Sequence, residues 1–163
     1  MKKQIEIRFQ LNAFDTISEL DIPDQILLER AVDAAKHAYA PYSGFNVGAA
    51  VLLEGGMIVI GSNQENAAYP SGLCAERVAI FAAGAQFPGI SIKSIAITAN
   101  SKNVAILSPV APCGACRQVL VEYEKKNGNP IKLILKGEHG KVFSIDSVVD
   151  LLPLVFDSSN LGI

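Results

Sequence analysis

The amino-acid sequence predicts an α/β protein, a three-layer α/β/α sandwich around a mixed five-stranded sheet. Apolar segments with the period of a strand alternate along the chain with apolar segments of helical period, which is typical of this class. Two strand segments are joined by a tight turn at Gly55-Gly56 and must be antiparallel, whereas strands reached through helices favour parallel neighbours. The chain has 163 residues, half of them hydrophobic, which suits one domain with a sizeable core.

The first two elements are a short strand and a helix. Ile5-Glu6-Ile7-Arg8-Phe9 alternates apolar and polar side chains, the period of a half-buried strand, and we expect it to form an extra strand at the edge of the sheet. A helix of about 15 residues follows, because Asp21 is an N-cap candidate, Pro23 suits a first turn and Pro41 stops the run. Its apolar residues recur at helical spacing: Ile26, Leu27, Ala31, Ala34, Ala35 and Ala38.

A β-hairpin and a buried helix come next. Residues 47–53 and 57–60 are apolar strand segments on either side of the glycine turn. The Ala-rich stretch at 73–85 has Glu and Arg early and the breaker Phe87-Pro88-Gly89 after it, so it predicts a helix.

The remaining elements complete the sheet. Residues 92–99 alternate as a strand, and residues 116–126 have one apolar side and Lys in the last turn, as a helix does. Residues 131–135 and 142–145 are strand segments on either side of a Gly-Glu-His-Gly turn, and 145–152 predicts a last helix.

Charge and composition exclude several classes of partner. The chain has 14 basic and 16 acidic residues, a net charge of −2 and a pI of about 5.7, which argues against a protein that binds nucleic acid through phosphate contacts. The sequence has no apolar run of 18 residues and no apolar signal segment near Met1, so we expect no membrane association. Three cysteines cannot all pair within one chain, which favours a reduced, cytoplasmic protein.

The spacing of these cysteines favours a metal site over buried or nucleophilic thiols. Cys74, Cys113 and Cys116 all stand where a loop enters a predicted helix, and a helix N-terminus stabilises the thiolate form that metals need. Three ligands leave the fourth tetrahedral position of Zn²⁺ to water, as in catalytic zinc sites. His37 and His139 are expected to have structural or solvated roles.

Two charged residues follow Cys74. Residues two apart on a helix do not face one another, so Glu76 can share a site with Cys74 only at the very end of the helix. Arg77 returns to the ligand face, where a guanidinium would offset the net charge of −1 that Zn²⁺ carries with three thiolates.

These residues resemble the zinc-dependent cytidine deaminases, in the small form that uses three cysteines. The segments that carry the resemblance are Ala40-Pro41-Tyr42-Ser43-Gly44-Phe45-Asn46-Val47-Gly48-Ala49-Ala50, Gly61-Ser62-Asn63-Gln64-Glu65-Asn66-Ala67-Ala68-Tyr69, Cys74-Ala75-Glu76-Arg77 and Pro112-Cys113-Gly114-Ala115-Cys116-Arg117-Gln118, with Leu151-Leu152-Pro153 and Phe156 near the end. They span about residues 36–157. The resemblance implies a cytidine deaminase-like catalytic domain at 21–163. Residues 1–20 precede the family core and depart from the family pattern as an N-terminal extension, whose expected edge strand is a candidate for pairing between subunits.

The resemblance also implies the chemistry and the site. Cys74, Cys113 and Cys116 would bind one Zn²⁺ per subunit, and Glu76 would shuttle protons while zinc-activated water attacks C4 of cytosine. The products would be uridine or 2′-deoxyuridine and ammonia, from cytidine or 2′-deoxycytidine, in pyrimidine salvage.

The family positions that hold the nucleoside fall on further residues of this chain. By resemblance, Phe45 lies against the base, Asn63 and Glu65 bind ribose hydroxyls, and the backbone N–H of Ala75 suits the carbonyl O2. Tyr69 and Phe156 match positions that complete the pocket of a neighbouring subunit, and the small form is usually a homotetramer. Gln64 departs from the aliphatic residue common at its position.

Other functions remain to be separated from this one. A deaminase of a cytosine-nucleoside antibiotic of the blasticidin type shares the Cys-Ala-Glu-Arg and Pro-Cys-x-x-Cys elements, although Asn63 with Glu65 suits a ribose better. Editing of polynucleotide cytosine is disfavoured by the acidic pI. A structural zinc module or a catalytically silent nucleoside-binding protein is disfavoured by the three-ligand count and by Glu76.

Overall fold

The computed structural model describes residues 2–162, so Met1 and Ile163, which the predicted domain bounds include, lie outside the described residues. Six strands form one mixed sheet in the order β1-β6-β5-β4-β2-β3. The strands are β1 (Asn12–Phe14), β2 (Phe45–Leu53), β3 (Ile58–Ser62), β4 (Ile92–Ser101), β5 (Lys132–Lys136) and β6 (Val142–Ile145). The helices are α1 (Ile22–Ala35), α2 (Ala75–Gln86) and α3 (Gly114–Asn127). The predicted fold is confirmed, with five core strands and an added strand at the edge.

The pairing of the strands follows from their connections. The hairpin β2–β3 is antiparallel, and so is the β2–β4 pair, while β4 and β5, which are joined through α3, are parallel. The parallel pair is the crossover expected for strands linked by a helix.

The strands bury side chains on both faces, which makes the molecule three-layered. Leu27, Leu28 and Ala31 of α1 pack with Ala50, Ala96 and Ile134 on one face. Ile80 of α2 and Leu120 of α3 pack with Val51, Ile95 and Leu133 on the other. Successive residues of β2, β4 and β5 therefore point to opposite layers, as the period of two requires.

Several predicted boundaries differ in the structure, and three of them concern the sheet edge, the cysteine pair and the last helix. The N-terminal strand is Asn12–Phe14, not Ile5–Phe9, and it pairs antiparallel with β6 at the edge of the sheet. The helix predicted at 116–126 already begins at Gly114. The helix predicted at 145–152 is only a 3₁₀ turn at Val148–Leu151.

The N-terminal strand was misplaced because pattern alone does not determine pairing. Ala13 lies opposite Phe143 of β6, whereas the alternating residues before it have no neighbouring strand among residues 2–162. In the part of the chain that the structure describes, no helix has the length and apolar character needed to cross a bilayer.

Candidate metal and substrate site

Three cysteine side chains meet at the N-terminal ends of two helices. Cys74 immediately precedes α2, Cys113 immediately precedes α3, and Cys116 lies in the first turn of α3. Their Sγ atoms all lie within 4.8 Å of one another, and those of Cys74 and Cys113 are 3.9 Å apart. The structure thus brings the three predicted ligands together.

A zinc ion fits this spacing. Zn–S bonds of about 2.3 Å in a tetrahedron separate the sulfur atoms by about 3.8 Å, close to the observed 3.9 Å. Among the described residues the cluster includes no fourth His, Asp or Glu: His37 is exposed just after α1, and His139 is exposed between β5 and β6. A set of three protein ligands is typical of catalytic zinc, whose remaining coordination position takes water or substrate.

The cysteines differ in their readiness to ionise. A hydrogen bond with Cys116, helped by Arg77, holds the pKa of the Cys74 thiol well below its ordinary value. The same hydrogen bond, together with burial, raises the pKa of Cys116. Cys74 is therefore the first of the pair to become a thiolate, and Cys116 would have to lose its proton to serve as a metal ligand beside it.

Arg77 lies one helical turn after Cys74 and faces the cluster. Its Nη2 donates to Cys74 Sγ at 3.8 Å. Its Nε is buried and, among the described residues, has no hydrogen-bond partner. A guanidinium that donates to a sulfur ligand fits a loaded site, because it offsets the negative charge of three thiolates around one divalent ion.

Glu76 is buried in the first turn of α2, beside the same cluster. Burial raises the pKa of its carboxyl group, since the charged form loses contact with water. A buried carboxyl group with a raised pKa holds its proton more readily than a free one, which suits acid–base work.

A cavity of about 680 Å³ opens in front of the cysteines. It is formed by the start of β2, the chain after β3, the start of α2 and the loop before α3. Eight predicted site residues line it: Phe45, Asn63, Glu65, Tyr69, Cys74, Glu76, Arg77 and Cys113. This volume is that of a site for one small molecule.

Three predicted site residues, Ala75, Cys116 and Phe156, do not line the cavity. Cys116 and Ala75 are fully buried behind the cavity wall, and Ala75 reaches the site only as the first residue of α2. Phe156 is 59% exposed and is not part of the cavity wall, while its carbonyl oxygen accepts from Gln118 at 2.7 Å. Tyr69 is 78% exposed at the rim, edge-on to the ring of Tyr42.

A close approach of β3 to α2 determines where the α2 N-terminus lies. A Cβ atom on Gly61 would stand 2.5 Å from the backbone nitrogen of Ala79 and 2.7 Å from the carbonyl oxygen of Ala75. Only glycine leaves room for the helix at this distance. The strand thereby places Cys74 and Glu76 at the end of the sheet.

Asn63 joins the chain after β3 to the start of β2. Its Oδ1 accepts from the backbone N–H of Val47 at 2.7 Å, and its Nδ2 donates to the carbonyl oxygen of Phe45 at 2.9 Å. One N–H and one lone pair of the amide remain for a ligand. Asn63 thus also holds the start of β2 in position.

Glu65 organises a turn at the rim of the cavity. Its Oε2 accepts from the backbone N–H groups of Tyr42 and Ser43, and its Oε1 accepts from Ser43 Oγ. The Ser43 hydroxyl is the main reason that the pKa of Glu65 lies below its ordinary value. A carboxylate has about four acceptor positions, so one remains for a ligand.

Sequence analysis assigned no role to Ser43 and Tyr42. Both line the cavity and supply the donors that Glu65 accepts. A small hydroxyl residue in the tight turn Pro41-Tyr42-Ser43-Gly44, in which Gly44 has φ 63°, was the available signal.

Arg117 supports the loop that leads into the pair Cys113 and Cys116. Its Nε donates to the carbonyl oxygen of Pro112 at 2.8 Å, and its Nη1 donates to that of Leu151 at 3.2 Å. The side chain therefore joins the residue before Cys113 to the 3₁₀ turn after β6.

Comparisons with known proteins agree with this geometry. A family profile described as "Cytidine and deoxycytidylate deaminase zinc-binding region" matches residues 22–128. The chain is 39% identical over 138 residues to the cytidine deaminase of Halalkalibacterium halodurans, covering 85% of this chain and 97% of that protein. It is 42% identical over 139 residues to the cytidine deaminase of Sporosarcina psychrophila, covering 83% of this chain and 93% of that protein.

Solved structures give the same result. A crystal structure of cytidine deaminase from Burkholderia pseudomallei has 42% sequence identity and a TM-score of 0.69, covering 80% of this chain and 97% of that one. A crystal structure of cytidine deaminase from Mycobacterium tuberculosis has 32% sequence identity and a TM-score of 0.64, covering 84% of this chain and 99% of that one. With its three-cysteine zinc site, this chain belongs to the cytidine deaminase family.

Proposed function

We propose that this protein hydrolyses cytidine and 2′-deoxycytidine to uridine and 2′-deoxyuridine, with release of ammonia, in pyrimidine salvage. The observation that carries the proposal is the position of Glu76. Its buried carboxyl group has a raised pKa and stands beside a three-cysteine cluster that faces a nucleoside-sized cavity. Relatives named cytidine deaminase over most of the chain support the same substrate class.

The roles of the cysteines and Glu76 follow from their chemistry. Cys74, Cys113 and Cys116 hold the metal, and a bound Zn²⁺ lowers the pKa of water and so supplies the nucleophile at neutral pH. Glu76 accepts a proton from that water and delivers it to N3 of the base. It then carries the second proton to the departing amine, so that one water and one nucleoside yield the uracil product and one ammonia.

The neighbours of Glu76 position the base and the sugar. Phe45, in the cavity wall, supplies an aromatic surface for the pyrimidine. The N–H of Ala75 is the first of α2, where N–H groups have no acceptor within the helix, and it suits the carbonyl O2. Asn63 and Glu65 each keep hydrogen-bonding capacity for ribose hydroxyls after their contacts with the protein.

The assembly that we propose is a homotetramer. Tyr69, at the rim of the cavity, is 78% exposed, and Leu154 and Phe156 near the end of the chain are 86% and 59% exposed. Large exposed apolar side chains are typical of subunit contacts. Tyr69 and Phe156 would then complete the cavity of a neighbouring subunit. Three free cysteines at a metal site suit a reducing compartment, and we place the protein in the cytoplasm.

One assay tests the proposed reaction. Zinc is quantified in the purified protein, and turnover is followed spectrophotometrically on cytidine, on 2′-deoxycytidine and on a blasticidin-type cytosine-nucleoside antibiotic, with single-stranded DNA as a fourth substrate. We expect about one zinc per subunit and turnover of both nucleosides. A higher specificity constant for the antibiotic, or conversion of DNA without conversion of nucleosides, would overturn the proposal.

A further inference from the structure

The N-terminal segment at residues 3–11, here called the arm, lies outside the folded layers. It precedes β1, and every one of its residues is exposed. Its apolar side chains occupy alternate positions, and those of Ile5 and Ile7 are 90% and 55% exposed. The other two members of this apolar strip are Phe9 and Leu11. A strip of four large apolar side chains in water indicates a surface that is covered in the assembled protein.

The opposite side of the arm carries one acidic and one basic residue two positions apart. Arg8 donates through Nε and Nη2 to the two carboxylate oxygens of Glu6, each at 2.9 Å. A contact between residues i and i+2 is the geometry of an extended chain, in which both side chains lie on one side. The ion pair is highly exposed and therefore weak, so it can exchange partners at little cost.

We propose that the arm pairs with the arm of a second copy of this chain, as two antiparallel strands centred on Ile7. In this register Ile7 lies opposite Ile7 of the second copy, and Glu6 lies opposite Arg8 of the second copy. By the twofold symmetry, Arg8 lies opposite Glu6 of the second copy. Three of the four apolar positions coincide as well, since Ile5 lies opposite Phe9 of the second copy, whereas Leu11 lies opposite Lys3 of the second copy.

Charge selects this register over its neighbours. Centring the pair on Glu6 or on Arg8 would place like charges opposite one another, and a parallel in-register pair would do so at both positions. Shifting by a single residue would place apolar side chains opposite polar ones. Opposite charges and aromatic–β-branched pairs are the cross-strand contacts that stabilise sheets, whereas like charges directly opposite destabilise them.

The sheet edge gives the arm a fixed base. The arm runs directly into β1, whose residues Asn12–Phe14 pair with β6 at the margin of the sheet. An isolated pair of strands is only marginally stable in water, so the contact is best detected by trapping it covalently. The inference does not depend on the deamination reaction.

The first experiment traps the contact with cysteine at position 7. In zinc-loaded full-length protein under mild oxidation, we expect Ile7→Cys to form a disulfide-linked dimer on non-reducing gels. The matched control Ile5→Cys should form none by itself, because two copies of position 5 would lie about 14 Å apart, four residues along the ribbon. Mixed with Phe9→Cys, however, Ile5→Cys should crosslink.

The wild-type chain, run in parallel, measures any crosslinking through Cys74, Cys113 and Cys116. Dimer formation by Ile5→Cys alone at the level of Ile7→Cys, or none by Ile7→Cys, would overturn the proposed pairing. Cytidine turnover, measured on the same samples, separates a failure of this inference from a failure of the proposed function.

A second experiment shows that the charges act between chains. In the Ile7→Cys background, Glu6→Arg or Arg8→Glu alone should reduce the crosslink several-fold, because like charges then oppose one another. Mixing the two variants should restore it, although neither chain can form its own ion pair between positions 6 and 8. A mixture that crosslinks no better than its components would contradict the charge-selected register.

Discussion

The guanidinium group of Arg77 lies one turn of α2 after Cys74 and donates to the Cys74 sulfur at 3.8 Å. The contact joins a cation to the ligand whose thiol ionises first, since the pKa of Cys74 lies well below its ordinary value. With a divalent ion among three thiolates, the cluster carries one net negative charge, which makes water beside the metal a poorer acid. Arg77 reduces this effect by withdrawing charge from the sulfur.

We therefore expect Arg77→Ala to lower zinc affinity or kcat by roughly 10–100-fold, without unfolding the chain. Zinc affinity is measured by competition with a chelator, turnover by the cytidine assay, and folding by circular dichroism. Arg77→Lys serves as the matched variant, because it keeps the charge but loses the forked donor geometry. Its zinc affinity and turnover should lie between those of the wild type and of Arg77→Ala. Unchanged affinity and turnover in Arg77→Ala would show that the charge of Arg77 has no effect on the metal.

Glu76→Gln should separate metal binding from turnover. The amide keeps the shape of the carboxyl group but cannot accept and release a proton, so we expect turnover to fall by several orders of magnitude while zinc content stays at the wild-type level. Zinc is quantified on the same preparation that is assayed. Near-normal kcat in a zinc-replete Glu76→Gln protein would exclude Glu76 as the proton carrier.

Ser43→Ala should raise the pKa of Glu65, because the Ser43 hydroxyl is the main cause of its depression. A carboxylate with a lowered folded-state pKa contributes stability that is present above its unfolded pKa and is lost as pH falls through the folded value. In Ser43→Ala the turn at Tyr42 should therefore loosen at a higher pH than in the wild type.

The pKa of Glu65 is followed by a carboxyl ¹³C NMR titration of the two proteins. The control is Ser91→Ala, which changes the serine immediately before the start of β4. It should leave the titration of Glu65 unchanged. Identical Glu65 titrations in the wild type and Ser43→Ala would show that the hydrogen bond does not hold the carboxylate.

The metal cluster was predictable from sequence because its geometry is mostly local. Cys113 and Cys116 are one helical turn apart, and Cys74 and Cys113 each immediately precede a helix. The start of α3 was placed two residues late because Gly114 is a weak helix former and concealed the first turn. Its position before α3 nevertheless places Cys113 at the site.

Contacts between a side chain and backbone groups far away in the sequence were not predictable. The contacts of Asn63 with the start of β2 and of Glu65 with Tyr42 and Ser43 exist only after the sheet has formed. The last predicted helix is cut to a 3₁₀ turn, whose first N–H, at Val148, donates to the carboxylate of Glu124. The spacing of apolar residues along the chain does not predict such long-range hydrogen bonds.

Gly61→Ala should displace Cys74 and Glu76, although Gly61 is not itself one of the site residues. The added Cβ would stand 2.5 Å from the Ala79 nitrogen, so α2 must shift away from β3. We expect a loss of about 1–3 kcal/mol in the free energy of unfolding and a fall in turnover, because Cys74 and Glu76 move with the helix. Denaturant unfolding and the cytidine assay measure the two effects.

Gly114→Ala is the control for this substitution, because a Cβ there meets nothing within 4 Å and Gly114 lies within helix α3. We expect no loss of stability in this variant, since alanine is the better helix former. A Gly61→Ala protein as stable and active as the wild type would show that α2 can shift without cost.

Glu124 supports the site from the far end of α3. Its buried carboxylate accepts from the backbone N–H groups of Ile131 at 2.7 Å and Val148 at 3.0 Å, and from Ser147 Oγ. It thus joins α3, which Cys113 immediately precedes, to the residue before β5 and to the 3₁₀ turn after β6. Glu124→Ala leaves two buried N–H groups without an acceptor, each of which costs about 1–3 kcal/mol.

We expect Glu124→Ala to lower the free energy of unfolding by several kcal/mol, measured by urea denaturation of the zinc-loaded protein. Glu122→Ala, which removes an exposed carboxylate from the same helix, should change it by no more than about 0.5 kcal/mol. Because α3 also carries Cys116, zinc should dissociate at a lower urea concentration in Glu124→Ala than in Glu122→Ala. Equal unfolding and equal zinc release in the two variants would show that α3 is held in place without this carboxylate.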